Sequence, residues 1–187
     1  MGKSSWSIRM AETVDADADA VAGWWFHPDR AAEFLAELKS RKGVVDMSVT
    51  ESTKDGHRVR VLIYKSTQGW EFEHRMAEIT RPERVGDRYR VETHDAESAR
   101  DVERQAVHRY GWQPFTVDCF RVLEVIAIRP DETRVTDTHE HTMAGGTWGY
   151  RWKRRQSDMK SHKQRLKKTA QRCAAAIGQA EDTATAP

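Results

Sequence analysis

Five residues near the C-terminal third could gather titratable groups on one side of a strand. Val135, Asp137, His139, His141 and Met143 fall at every second position, and alternate side chains of a β-strand share a face. Imidazole titrates within the physiological range and a nearby carboxylate can orient it, so such a row suits general acid–base chemistry. Asp137, His139 and His141 are therefore the candidate catalytic residues. His74 and Arg121, on other strands, could help to polarise a carbonyl. The same trio could ligate a metal, but no His-Glu-x-x-His or comparable spacing is present, and neither a metal nor a cofactor is expected. The competing reading is structural: a strand end open to water, or histidines satisfied by neighbouring strands. A slip of one residue would replace the row with Thr136, Thr138 and Glu140.

Something must pack against that face, and the terminal run from Thr147 to Ile177 is suited to it. Trp148, Trp152, Met159, Leu166, Cys173 and Ile177 recur at about helical spacing, which predicts one buried helical face. Gly145 and Gly146 break the strand pattern before it, and Thr147 is placed to cap the helix. The other faces carry Arg151, Lys153, Arg154, Arg155, Lys160, Lys163, Arg165, Lys167, Lys168 and Arg172, with Asp158 the only acid among them. A nucleic-acid or anionic-lipid partner is not expected from this basic surface. Both tryptophans fall on the apolar stripe rather than among the charges, and the residues from Glu12 to Glu37 are strongly acidic. Attraction between the two charged regions, or a homodimer, accounts for them more simply.

The strands precede this helix. Trp6, Ile8 and Met10 alternate with polar residues and predict a first strand. Asp15 or Asp17 can cap a helix running to about Phe26, which His27-Pro28 closes; a second helix would bury Ala31, Phe34, Leu35 and Leu38. From Val44 the period is two, with an Asp55-Gly56 hairpin signal, a turn near Gln68-Gly69, and strands containing Val59 to Ile63, Trp70 to Met76 and Tyr89 to Thr93. The stretch from Asp95 to Gly111 breaks the rhythm and reads as a mobile loop or a short helix. Strand character returns at Phe115, and Arg129-Pro130-Asp131-Glu132 makes the last turn. The order is strand, two helices, about six to seven strands and a long helix. Hairpin connections imply an antiparallel α+β sheet curved around the last helix.

Composition bounds the remainder. The 187 residues suit one domain with a real core, and a mean hydropathy of -0.80 describes a heavily charged surface. No apolar run is long enough to span a bilayer and no secretory signal is visible, so the expectation is a cytoplasmic protein. Cys119 and Cys173 belong to no Cys-x-x-Cys pair and are read as buried thiols. No glycine-rich phosphate loop or nucleophile elbow occurs, which disfavours dinucleotide, nucleotide-triphosphate and serine-hydrolase chemistry.

Val14-Asp15-Ala16, Val21, Trp25, Pro28-Asp29-Arg30 and Phe34, together with Asp131 to Thr136 and the terminal helix, resemble the START-like helix-grip superfamily. That superfamily includes polyketide cyclase/dehydrase and lipid-transport domains and the birch-pollen allergen. Length and the lack of a linker predict one domain over residues 1–178, and the Ala- and Thr-rich residues 179–187 read as a disordered tail. The resemblance implies a hydrophobic cavity between sheet and helix that binds a lipid- or polyketide-like molecule, or cyclises and dehydrates one by acid–base chemistry. Trp25, Met47, Val61, Phe72, His74, Tyr89, Arg121, Leu123, Trp148, Trp152 and Met159 would then contact the ligand. Close packing of these side chains into a filled core is the alternative.

Overall fold

The computed structural model describes residues 3–27, 29–30, 33, 36–37, 40, 44–54, 57–66, 70–79, 83–102 and 115–185, with side chains outside 44–83, 93–118 and the end of the last helix. Eight strands form one curved antiparallel sheet: β1 (Lys3–Val14), β2 (Val44–Lys54), β3 (His57–Ser66), β4 (Trp70–Ile79), β5 (Glu83–Val85), β6 (Arg88–Val102), β7 (Phe115–Arg129) and β8 (Glu132–Gly145). Their order across the sheet is β1-β8-β7-β6-β4-β3-β2, with the short β5 paired to β6. The long strands number seven, as expected, and β5 adds a three-residue hairpin around Gly86, whose φ of 63° favours glycine. The whole is a helix-grip α+β fold.

Helix α1 (Ala18–Trp25) follows β1. Of its two expected caps, Asp17 serves, accepting hydrogen bonds from the amides of Asp19 and Ala20 at 2.9 Å each. The described residues between 29 and 40 are helical too, whereas Ala31, Phe34, Leu35 and Leu38 lie outside the described residues. Helix α2 (Trp148–Thr185) starts where Thr147 Oγ1 accepts from the Tyr150 amide at 3.2 Å. It runs past the expected end near residue 178, so residues 179–185 continue the helix.

One segment differs in kind from its sequence reading. Residues 95–102 are neither loop nor helix but the second half of β6, paired with β4 and β7. They are polar enough to hide the strand period, and the ladder on both sides supplies what propensity does not. Residues 103–114 lie outside the described residues.

The core has two apolar clusters. The larger joins Val14, Val21, Trp25, Leu123, Val125 and Val135 to Leu166, Ala170 and Cys173 of α2. Each such side chain removed from water contributes roughly 1.5–3 kcal/mol before entropy is counted. The smaller contains Trp6, Ile8 and Met143. Between the two clusters β7 and β8 place Arg121, Asp137, His139 and His141, and α2 adds Asp158 and His162; that polar interval holds the candidate site.

Candidate functional site

Strand β8 carries its alternating row as the sequence places it. Asp137, His139 and His141 are 5%, 4% and 5% exposed, between buried Val135 and Met143. The antiparallel register sets Leu123 opposite Asp137, Arg121 opposite His139 and Cys119 opposite His141 on β7, and Met10, Ile8 and Trp6 opposite the same three on β1. Three adjacent strands thus bring one face together in a fixed order.

The contacts within this row are specific. Arg121 donates from Nε and Nη2 to the two carboxylate oxygens of Asp137, at 2.8 and 2.9 Å. Asp137 Oδ1 is also 3.0 Å from His139 Nε2, out of line for a straight hydrogen bond. Burial opposes the charge of Asp137, but the Arg121 guanidinium, aided by His139, outweighs it and holds the carboxyl below its usual range. The other ring nitrogen, His139 Nδ1, lies 3.6 Å from Cys119 Sγ, and His141 Nε2 lies 3.9 Å from the same sulfur. Trp6 stacks on His141 with ring centres 5.2 Å apart.

Helix α2 closes the cluster from the other layer. The His162 ring centre is 4.0 Å from that of His139 and 5.6 Å from that of His141. Burial, then the neighbouring His139, Arg165 and His141, push its pKa down to about 2, so it stands as a neutral imidazole. One turn earlier Asp158 is buried and accepts from Arg154 Nε at 3.0 Å. Asp158 therefore lies inside, not on the wet outer surface where its charge placed it.

Other expected site residues are distributed differently. Trp25 and Leu123 belong to the larger apolar cluster, and half-buried Tyr89 donates from its hydroxyl to Asp19 at 2.7 Å. Trp148, Trp152 and Met159 are 75%, 53% and 42% exposed, which corrects the expectation of one buried stripe along the whole helix. From Leu166 onward it packs into the larger apolar cluster, while in its first half Tyr150, rather than these three, packs against the smaller one. The side chains of Met47, Val61, Phe72 and His74 lie outside the described ones, although the register assigns their rows. Phe72 and His74 share the row of Cys119, as does Met47 through Tyr64. Val61 pairs with Thr50 and Arg75, in the opposite row, so its assignment to the same face as His74 is corrected.

Cys119 and His162 were missing from the sequence-derived site. Cys119 shares the parity of Arg121 and Leu123, and that signal could have found it. His162 sits three residues after Met159 and four before Leu166, on the flank of the apolar stripe. Cys119, His139 and His141 each offer a ligand atom, all within 4.8 Å of one another. A metal considered on Asp137 with the two histidines would, on this geometry, meet Cys119 in its place.

No protein-family model matches the chain, and no curated protein matches its sequence. Solved structures do share its shape. The Mll3558 protein from Rhizobium loti aligns with a TM-score of 0.58 at 13% identity, covering 91% of this chain and 98% of that one. A conserved protein from Geobacillus kaustophilus aligns at 0.52 and 10% identity, covering 91% and 97%. TTHA0849 from Thermus thermophilus aligns at 0.50 and 14% identity, covering 91% and 99%. At these identities the likeness is one of fold alone, the helix-grip arrangement of a curved antiparallel sheet and a long C-terminal helix.

Proposed function

We propose that the protein binds a small molecule with an apolar body and a polar head between the sheet and the first half of α2. The observation that carries this reading is the unfinished stripe of the helix. Met159, Trp152 and Trp148 precede Leu166 by 7, 14 and 18 residues, which at about 100° per residue keeps all four within roughly 40° of one direction. That apolar row is exposed in the first half of the helix, where the buried side runs instead through His162 and Asp158. An apolar ligand covering the row would gain roughly 25 cal/mol per Å² of buried surface. Its polar end would meet His162, His139 and Arg121, a few fixed polar groups beside an apolar surface.

A second reading is supported by the Asp137–His139 contact. A buried carboxylate against one nitrogen of an imidazole suits acid–base catalysis on such a ligand, as in a polyketide cyclase or dehydrase. Native mass spectrometry before and after organic extraction, with titration of an apolar fluorescent dye, tests the binding reading. Retained compound or saturable dye binding that Trp152→Ala weakens is expected; neither in folded protein would overturn it. With the compound in hand, His139→Ala should abolish turnover and spare binding if catalysis occurs, and unchanged turnover would exclude the second reading.

A further inference from the structure

We propose that Cys119, His139 and His141 form a binding site for a divalent, zinc-like metal ion, with Asp137 orienting His139 from behind. The inference stands on donor geometry and is independent of the small-molecule reading, although it concerns the same cluster. Zn–S and Zn–N bonds of about 2.3 and 2.0–2.1 Å meeting at a tetrahedral angle hold sulfur and nitrogen about 3.6 Å apart. The Cys119 Sγ to His139 Nδ1 distance is 3.6 Å and that to His141 Nε2 is 3.9 Å, so both edges through the sulfur are close to that separation. All the donors lie within 4.8 Å of one another. A thiolate with two imidazoles selects zinc or cobalt over calcium and magnesium, which take oxygen ligands.

The surroundings are arranged as a metal site requires. Asp137 Oδ1 lies 3.0 Å from the nitrogen of His139 turned away from the sulfur, and a small turn of the ring would bring that N–H into line for the carboxylate–histidine–metal pattern that fixes a ligand's tautomer and direction. Arg121 in turn grips that carboxylate with two hydrogen bonds. The ligands sit on paired strands, with Cys119 directly across from His141, so little ordering remains to be done on binding. A nucleophilic Cys119–His139–Asp137 relay would use one histidine and leave His141 without a role, whereas a metal uses both. Three protein ligands leave a fourth position open, and His162 brings a further imidazole to the cluster.

The test is titration of chelator-treated full-length protein with cobalt(II), followed by absorption, with zinc as competitor. One equivalent should bind, giving a thiolate-to-cobalt charge-transfer band and the intense visible bands of four-coordinate cobalt, all displaced by zinc. Cys119→Ser should remove the charge-transfer band. Asp137→Asn should keep the band and weaken affinity about 10- to 100-fold. Absence of the band in folded wild-type protein, or an unchanged spectrum in Cys119→Ser, would overturn the site. Where Cys119→Ser does not fold, thermal melting of the wild type decides: a saturable rise in Tm with zinc is expected, and no rise refutes the proposal. Dye binding on the same samples separates the two ideas, since dye without metal refutes only this site and metal without dye refutes only the ligand reading.

Discussion

Two cysteines in one chain meet opposite surroundings. Cys119 faces imidazoles across a sheet, whereas Cys173 is wholly buried among Val21, Trp25 and Leu166 of the larger apolar cluster. Burial pushes the Cys173 thiol up to about 11, against a weaker opposing pull from Arg30. A thiol whose pKa is raised on folding contributes stability that is fully present below its unfolded value, near 9, and is lost as pH rises toward about 11. Urea midpoints at pH 8 and pH 10 should therefore fall for the wild type and fall less for Cys173→Ala. Equal losses in the two proteins would show that Cys173 does not set the alkaline limb. Asp137 shows the reverse balance, because Arg121 and His139 together more than offset the burial that would otherwise neutralise it.

At the scale of elements, α2 is two helices in energetic terms. From Leu166 onward its stripe is packed against β1, β7, β8 and α1, so Leu166→Ala should cost about 2–5 kcal/mol in chemical denaturation. Trp152, on the same stripe, is exposed, and Trp152→Ala should stay within about 0.5 kcal/mol. A large loss at Trp152 would mean that its stripe is covered by the protein itself. This division marks where the sequence stops being legible. Period gives the direction of a side chain, so the phase of Trp148, Trp152 and Met159 could be read. Whether another layer comes close enough to cover them depends on the sheet's curvature, which no local pattern records. The β8 row was readable for the complementary reason, since Val135 and Met143 at its ends are apolar and pin the parity. Cys119 escaped because a lone thiol reads as a small apolar side chain, and His162 because the basic residues around it make the helix look wet. The second half of β6 escaped because its apolar residues, Ala96, Ala99 and Val102, are spaced by three rather than by two.

Across the whole molecule, charge links the ends of the chain. Glu33, from the acidic region, accepts from Arg172 of α2 at 2.7 Å, which supports attraction within the molecule as one use of the basic surface. Such an exposed pair contributes little stability, about 0–1 kcal/mol. The stronger tie is the sheet itself. Among the described strands β1 lies at the edge and pairs with β8 alone, Trp6 opposite His141, and Thr133 Oγ1 donates to the Ala16 carbonyl at 2.7 Å. That pairing has a temporal consequence. On a ribosome adding about 5–20 residues per second, β1 emerges first and waits on the order of ten seconds for its partner. The meander from β2 to β7 can form meanwhile, but the histidine row arrives with β8, and Trp6 reaches His141 only then. Stalled nascent chains ending before Glu132 should be cleaved by protease within residues 3–14, and released full-length chains should be protected there. Protection in the shorter chains would reveal an earlier partner for β1. β1 is thus made before the strands it joins and is among the last to be placed, and the buried cluster is sealed by residues translated far apart in time.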